Sequence, residues 1–336
     1  MHMADALISP VVGGAMWVAA IGFTSHAAKQ VQTNLQESKI PLMGVLGAFV
    51  FAAQMINFTI PGTGSSGHLG GGLLLAALLG PHAAFLTVAS ILTVQALFFA
   101  DGGLLALGCN LINMGFLPCY VAYPLLFAPL AGNQPSKKRI FAASLLAAVV
   151  GLQLGAFGVV VQTWASGVSA LPVSTFALLM QPIHLAIGLV EGLITATALA
   201  FIQREAPALL RQQAGASRTV VLTLLALALV TGGLLSWTAS SNPDGLEWSI
   251  ATVSGEAELA ADGPVHAFFA DLQDKLAFLP DYNFKSAPEP APQTEAKPAA
   301  WPAVDPGTSV AGIAGALITL LLALGAGKAL QHAAKH

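Results

Sequence analysis

Charged residues are scarce in this chain. Lys, Arg, Asp and Glu together make up 9 % of its 336 residues, whereas hydrophobic residues make up 55 % and the mean hydropathy is +0.74. Soluble domains carry about 25 % charged residues. The shortage excludes an ordinary soluble domain. Apolar stretches of about 20 residues, the length that crosses a bilayer, recur along the chain and predict a polytopic membrane protein.

Other motifs that are missing from the sequence reduce the number of candidate functions. The two cysteines, Cys109 and Cys119, lie in one apolar stretch, which predicts small buried residues rather than a disulfide framework. The chain has no GxxxxGK[ST] motif, so we expect that it does not hydrolyse ATP by that route. It also has no HExxH, no CxxCH, no zinc-type Cys/His set and no nucleic-acid signature. We therefore expect neither an enzyme nor a nucleic-acid-binding protein, and no bound cofactor.

The first residues carry a chemical signal of their own. The start, MHMADALISP, lacks the basic region of a cleavable signal peptide. We expect Met1 to be retained, because His2 is too large for the usual removal of the initiator. The Met1 α-amine, the His2 backbone nitrogen and the His2 imidazole can then chelate one metal ion. A fourth nitrogen would complete a square plane, a geometry that suits nickel(II) or copper(II).

Nine apolar segments are candidate membrane spans. The third is half the expected length and ends at Gly80-Pro81, which predicts a broken or strongly tilted helix inside the bundle. The candidate spans cover 7–27, 41–58, 70–80, 83–100, 104–128, 140–163, 174–202, 219–238 and 309–327.

The distribution of Lys and Arg predicts the orientation. With nine alternating spans, all ten basic residues of the short loops and the C-terminal tail follow odd-numbered spans, and cytoplasmic loops carry this excess. We therefore expect the C-terminus in the cytoplasm, and the N-terminus and loop 59–69 outside it. The ten residues are Lys29, Lys39, Lys137, Lys138, Arg139, Arg204, Arg211, Arg218, Lys328 and Lys335.

The chain divides near residue 218. We predict a seven-span domain over 1–218 and a second domain over 219–336, in which two spans flank the loop 239–308. That loop holds eleven acidic residues and three lysines, a net charge of −8, and its second half is rich in Pro and Ala. One interpretation is a solvated loop; the other is a segment whose field attracts cations.

The loop TIPGTGSSGHLGGG, residues 59–72, supplies a candidate fourth nitrogen. Its glycines allow backbone conformations that other residues avoid, and it carries His68 on the same predicted side of the membrane as Met1 and His2. A lone loop histidine is more often a solvated side chain. Here the glycines and the broken third span favour an inward fold, which would bring His68 to the chelate.

Polar residues in and near the predicted spans are candidates for a structural or functional role, because burying a polar side chain in lipid costs free energy. Most can serve as interhelical hydrogen-bond partners. The alternative is support for the histidine ligands, or the lining of a metal path. Glu191 is the one acid inside the spans of the predicted first domain, with His184 or a backbone group as its expected partner. The candidate supporting residues are Asn57, Ser66, Asn113, His184 and Glu191.

Four segments carry a family resemblance. MHMADALISP, SGHLGGG, GCNLINMG and QPIHLAIGLVEG resemble the M component of the cobalt/nickel energy-coupling-factor transporters over residues 1–218. The segment NPDGLEWS, residues 242–249, resembles the small N component over about 219–330. The chain is thus similar to a fused M–N substrate-binding subunit. Met3-Ala4 departs from the Ile-Pro that commonly follows the histidine in this family.

The resemblance implies a function and partners. It implies a seven-helix capture domain whose N-terminus dips into the bundle, with His2 and His68 as metal-binding histidines. It also implies a Q-type transmembrane coupling subunit and two O-type ATP-binding-cassette ATPases in a bacterial inner membrane. Fused M–N chains resemble the nickel branch of the family more than the cobalt branch, so we expect nickel as the transported ion and cobalt as the alternative.

Two other classes compete with this interpretation. A membrane metalloenzyme or redox anchor would need matched histidine pairs on facing helices, which the spacing of His82 and His184 does not supply. An ion-coupled secondary transporter would use Glu191 as a proton carrier and would work without an ATPase. Metal uptake with and without a partner ATPase separates that class from the importer.

Overall fold

The chain folds into a bundle of helices. The computed structural model describes residues 1–34, 37–210, 218–256, 259–285 and 301–334. Apart from two short strands, the regular structure of these residues is helical, which confirms the predicted all-α membrane fold. Six helices of the described part are long and apolar enough to cross a membrane: Pro10–Asn34, Pro81–Phe98, Leu107–Ala131, Lys137–Ser166, Val173–Glu205 and Pro306–Ala334.

Each of the nine predicted spans coincides with a helix. Two further helices, α9 and α10 below, lie inside the long acidic loop. In chain order the helices of eight residues or more in the described part are α1 (Pro10–Asn34), α2 (Ile40–Gln54), α3 (Gly72–Leu79), α4 (Pro81–Phe98), α5 (Leu107–Ala131), α6 (Lys137–Ser166), α7 (Val173–Glu205), α8 (Arg218–Gly233), α9 (Gly245–Ser254), α10 (Pro264–Leu276) and α11 (Pro306–Ala334).

The third helix is half-length, as its sequence predicts. All eight residues of α3 are buried. The helix ends because Gly80 adopts a φ of 84°, a conformation that favours glycine, and Pro81 then begins α4, where a missing N–H costs nothing. A short helix in the centre of the bundle therefore follows directly on the loop that carries His68.

The N-terminal segment lies inside the bundle. Met3 is fully buried, and Asn110 on α5 brackets it: the Met3 N–H donates to Asn110 Oδ1 at 2.8 Å and Asn110 Nδ2 donates to the Met3 carbonyl at 3.2 Å. Asp5 accepts the backbone N–H of Ala106 at 2.9 Å, and burial raises the pKa of the Asp5 carboxyl. These bonds fix the direction in which Met1 and His2 point.

Helices from both predicted domains share one apolar core. Helices α8 and α11 pack against α2 and against each other. They cross where glycine is required, because a Cβ on Gly312 would lie 2.2 Å from the carbonyl oxygen of Gly232. The division of the chain near residue 218 stays a prediction.

The first half of the acidic loop is folded against the bundle rather than freely solvated. His266 on α10 donates its Nε2 hydrogen to the Ile8 carbonyl at 2.9 Å. Gln273, on the same helix, donates to the carbonyls of Ala96 at 2.9 Å and Gly102 at 2.8 Å. Most of the Pro/Ala-rich second half, residues 286–300, lies outside the described residues.

Candidate metal site

The two predicted histidine ligands meet. The rings of His2 and His68 are stacked, with centroids 5.0 Å apart and an interplanar angle of 22°. The N-terminal segment delivers His2, and a hairpin of strands β1 (Phe58–Ile60) and β2 (Ser65–Gly67) delivers His68. The inward fold expected of the glycine-rich loop is therefore what the structure contains.

A buried carboxylate holds the backbone that follows His68. His68 Nδ1 donates to the Leu69 carbonyl at 3.1 Å, which leaves Nε2 with its lone pair. The buried carboxylate of Glu191 accepts the N–H groups of Gly70 at 2.7 Å and Gly71 at 3.1 Å. Of the two partners expected for Glu191, the backbone is the correct one; His184 bonds elsewhere.

His2 and the terminal amine are each paired with groups far along the chain. His2 Nε2 lies 3.1 Å from Gln95 Oε1, and His2 Nδ1 lies 3.3 Å from Asp101 Oδ1. The Met1 ammonium lies 3.3 Å from Asp244 Oδ2. The nitrogens proposed to chelate a metal thus face two carboxylates.

Asp244 reaches the amine because a helix start places it there. Its Oδ1 accepts the N–H groups of Leu246 and Glu247, both at 2.8 Å, and the Glu247 side chain accepts the Asp244 N–H. This reciprocal pair is a capping box at the N-terminus of α9. Gly245 is required because a Cβ there would lie 2.4 Å from the Ile183 side chain. The segment PDGLE is therefore a helix cap pressed against α7.

Burial sets the charge states at the site. Burial lowers the pKa of His2, although the nearby Asp101 opposes the shift. Burial, the terminal ammonium and His2 lower the pKa of His68 to about 4. Burial alone would raise the pKa of Asp244, but the terminal ammonium and the Glu247 N–H hold the pKa of that carboxyl well below its usual range. Both imidazoles are therefore neutral at pH 7 and able to bind a metal.

A small inner pocket adjoins the histidines. It is lined by Met1, His68, His184 and Asp244, among others. His184 donates from Nδ1 to the Met180 carbonyl at 2.8 Å, and its buried Nε2 has no hydrogen-bond partner among the described residues. His184 thus offers a lone pair beside the site.

A larger cavity is lined by both histidines. Its volume is about 650 Å³, and both predicted domains line it. No Lys or Arg is among its lining residues in the described part of the chain. We call it the acidic vestibule; its carboxylates are Asp5, Asp101, Asp244, Glu247, Asp281 and Asp305. Such a field concentrates cations next to His2 and His68.

Side chains alone do not form a metal site. Among the described residues, no group of three or more His, Cys, Asp or Glu side chains is arranged to hold a metal ion. Two histidines can hold an ion firmly only with further donors, and the nearby nitrogens include the Met1 amine, the His2 backbone nitrogen and His184 Nε2. The arrangement therefore fits a terminal chelate better than a zinc-type site.

The other predicted supporting residues lie near the histidines without bonding to them. Asn57 lines the acidic vestibule, and its carbonyl accepts the Ser240 N–H at 2.7 Å. Ser66 donates from its hydroxyl to the Asn242 carbonyl at 2.8 Å. Asn113 donates to Gln162 Oε1 at 2.7 Å, and a Cβ on Gly158 would clash with it. These bonds shape the surrounding backbone.

Sequence reasoning missed three contacts of the site. Asp101, Gln95 and Asp244 were not singled out from the sequence. Asp244 had a local signal, since Asp followed by Glu three residues later is a capping box. Neither Asp101 nor Gln95 has such a signal, because their partners come from distant parts of the chain.

Comparison with known proteins shows the family to which the chain is similar. The profile of the family described as "cobalt uptake substrate-specific transmembrane region" matches residues 2–209, and that of the PDGLE domain matches residues 218–332. A protein of Archaeoglobus fulgidus, provisionally named a fused nickel transport protein, is 30 % identical over 96 % of both chains. The fused nickel transport protein of Rhodobacter capsulatus is 32 % identical over 78 % of this chain and 79 % of its own.

A solved structure is also similar. The crystal structure of a truncated transition metal transporter aligns with a TM-score of 0.54 and 27 % identity. The alignment covers 61 % of this chain and 99 % of that one. The likeness therefore concerns one large part of the chain rather than its whole length.

Proposed function

The chain belongs to the family of the cobalt uptake substrate-specific transmembrane region, and from this premise we propose that it is the substrate-binding component of an ATP-driven importer. It is a multi-pass membrane protein and a component of nickel or cobalt transport, joined to a PDGLE domain. Its family is one of metal transporter components rather than of enzymes. The metal ion is the cargo of the protein.

We infer that four nitrogens capture the ion: the Met1 α-amine, the His2 backbone nitrogen, the His2 imidazole and His68. The observation that carries this proposal is the stacking of His2 on His68 at 5.0 Å, with Met1 lining a pocket shared with His68. Amine and amide donors next to one imidazole form fused chelate rings. Such rings favour a plane, which the second imidazole completes.

Nickel(II) is the cargo that we propose for this donor set. A square plane of nitrogens is typical of nickel(II) and copper(II), whereas cobalt(II) fits it less well. The relatives named as fused nickel transport proteins support the same choice. Cobalt(II) is the alternative cargo, supported by the description of the family itself. Copper(II) would have to be excluded by availability and access.

We propose that the ion enters from outside the cytoplasm and leaves towards it. The distribution of Lys and Arg supports an extracytoplasmic N-terminus and a cytoplasmic C-terminus in a bacterial inner membrane. The acidic vestibule then faces the outside and concentrates cations at the histidines. A Q-type coupling subunit and two O-type ATPases would complete the transporter.

The terminal chelate is tested by moving the amine while keeping every side chain. Two leucines inserted between Met1 and His2 should abolish nickel binding, because Met1 is retained before a large residue and its amine then lies two residues further from the backbone nitrogen and the imidazole of His2. The measurement is the nickel content of the purified, detergent-solubilised full chain by elemental analysis. Bound nickel that survives the insertion would contradict the terminal chelate.

Matched changes elsewhere serve as controls. Two leucines inserted between the exposed residues Asn133 and Gln134 should leave nickel binding unchanged. His68→Ala should lose the metal, whereas His332→Ala, at an exposed position near the end of α11, should keep it. The loaded wild-type protein should be yellow and diamagnetic, as a planar nickel(II) complex is.

A further inference from the structure

A continuous chain of hydrogen bonds joins the imidazole of His2 to the carboxylate of Glu191. His2 Nε2 lies 3.1 Å from Gln95 Oε1, and Gln95 Nε2 donates to Gln54 Oε1 at 2.8 Å. Gln54 Nε2 donates to the Gly70 carbonyl at 2.8 Å, and the Gly70 N–H donates to Glu191 at 2.7 Å. Gln54 and Gln95 are buried, with 5 % and 0 % of their surfaces exposed.

The direction of these bonds is fixed from the Gly70 end. A backbone carbonyl can only accept, so the group of Gln54 that faces Gly70 must be its NH₂. The carbonyl oxygen of the Gln54 side chain then faces Gln95 and accepts from its NH₂. Gln95 is left with its carbonyl oxygen towards His2. That oxygen can only accept, and so His2 Nε2 must carry a hydrogen.

This tautomer is the one that a terminal chelate needs. From the His2 backbone nitrogen, an ion reaches Nδ1 through a six-membered ring, whereas Nε2 lies on the far side of the imidazole. When one ring nitrogen donates a hydrogen bond, the other is the nitrogen that binds the metal. Asp101 lies 3.3 Å from the same Nδ1, so the nitrogen left for a cation also faces a carboxylate.

The same series of hydrogen bonds reaches the loop of the second histidine, His68. Gly70 lies two residues after His68, and Glu191 holds the N–H groups of Gly70 and Gly71. The hydrogen bond from Gln54 to the Gly70 carbonyl thus ties the loop of His68 to the side chain that faces His2. One network therefore joins the side chain that faces His2 to the backbone that follows His68.

We propose that Gln95, oriented by Gln54 and the Gly70 carbonyl, is a positioning residue that keeps His2 in its Nε2–H tautomer and presents Nδ1 to the metal. The proposal rests on the proposed function of the site. The plainer interpretation is a buried amide pair that merely joins α2 to α4. The two differ in what they require of residue 95: the first requires an acceptor towards His2, the second a donor towards Gln54.

Two substitutions at residue 95 separate these roles. Gln95→Leu removes both the acceptor and the donor, whereas Gln95→Glu keeps an acceptor for His2 and removes the donor to Gln54. Loss of a group that orients a metal ligand typically weakens metal affinity by about 10- to 100-fold. We expect a loss of this size for Gln95→Leu and nickel affinity within a few-fold of wild type for Gln95→Glu. The control is Gln153→Leu, which removes another interhelical glutamine bond, to the Gln181 carbonyl at 2.7 Å.

The experiment is nickel(II) titration of the purified full chain, with the absorption of the loaded protein and its thermal unfolding measured in parallel. Wild-type affinity in Gln95→Leu, or a Gln95→Glu variant as weak as Gln95→Leu, would overturn the proposal. A folded wild type that binds no nickel would overturn the proposed function instead. If the wild type binds nickel, His68→Ala does not and Gln95→Leu binds as the wild type does, the proposed role of Gln95 is wrong and the proposed function of the site stands.

Discussion

At the scale of single residues, burial keeps the imidazoles of His2 and His68 uncharged at pH values where a histidine in water begins to take up a proton. Burial lowers the pKa of both imidazoles, that of His68 to about 4. A histidine whose pKa is lowered stays neutral until the pH falls to that value, so both rings keep a free lone pair across the physiological range. Their carboxylate neighbours, Asp101 and Asp244, supply the negative charge that a divalent ion needs.

Nickel binding should weaken as the pH falls. In the proposed chelate the ion displaces protons from the Met1 amine and the His2 backbone nitrogen, and each proton released changes the apparent Kd by about tenfold per pH unit. His68 adds nothing to this slope near neutrality, because its pKa is about 4. We expect the Kd to rise at least about tenfold per unit of acidification, measured by nickel titration in buffers of graded pH.

A matched measurement on the insertion variant is the control for this pH dependence. Weak residual binding by the two imidazoles alone, without the terminal chelate, should show no such slope near neutrality, because burial lowers the pKa of both imidazoles. A wild-type Kd that does not change with pH would show that neither the amine nor the backbone nitrogen binds the ion.

At the scale of elements, short irregular segments position the site and long helices hold them. The glycine-rich loop needs the half-length α3 to enter the bundle, and Glu191 on α7 fixes the loop through two N–H groups. On the opposite side, the capping box of α9 places Asp244 against the terminal amine. The long helices contribute the polar side chains that these segments meet.

Glu191→Leu should loosen the loop that carries His68. The substitution leaves two buried N–H groups without an acceptor, and each such group costs about 1–3 kcal/mol. We expect a lower unfolding temperature and weaker nickel binding in the purified protein. Glu191→Gln keeps one carbonyl oxygen as an acceptor. Its unfolding temperature and its nickel affinity should therefore fall less than those of Glu191→Leu.

The same pair of variants tests the proton-carrier role of Glu191. A carrier predicts that Glu191→Gln abolishes transport and leaves nickel binding intact, whereas an anchor predicts that binding and transport decline together. Glu205→Gln, at the exposed end of the same helix, is the control and should change neither. Nickel uptake and nickel affinity measured on all three variants decide between the roles.

At the scale of the whole molecule, the two predicted domains meet at the site. Helices α8 and α11 pack on α2, and the folded part of the acidic loop closes over the N-terminal segment. The acidic vestibule draws its carboxylates from both sides of residue 218. The PDGLE part therefore contacts the Met1 amine, one of the proposed metal donors, directly.

Uptake should depend on an ATPase that this chain does not contain, since it lacks the GxxxxGK[ST] motif. We expect nickel accumulation in cells that express the chain with its partner ATPase and little accumulation when the ATPase is deleted. Binding by the purified chain should be the same in both cases. Unchanged uptake without the ATPase would favour an ion-coupled secondary transporter.

Local properties of the sequence were enough for the membrane class and for the helices. A span is recognised by about 20 consecutive apolar residues, and a short helix by the Gly80-Pro81 that ends it. Two residues of the proposed site could also be named from the sequence: His2, because its neighbour is the terminal amine, and His68, because glycines surround it. Each of these signals lies within a few residues of the feature that it predicts.

Only the tertiary structure decided which groups touch these histidines. Gln95 lies 93 residues from His2, Glu191 lies 121 residues from Gly70, and Asp244 lies 243 residues from Met1. No local pattern encodes such a pairing, because it depends on how the helices pack. The sequence by itself predicted the donors of the proposed chelate, and packing determined which nitrogen of His2 bonds to Gln95 and which carboxylates face His2 and the terminal amine.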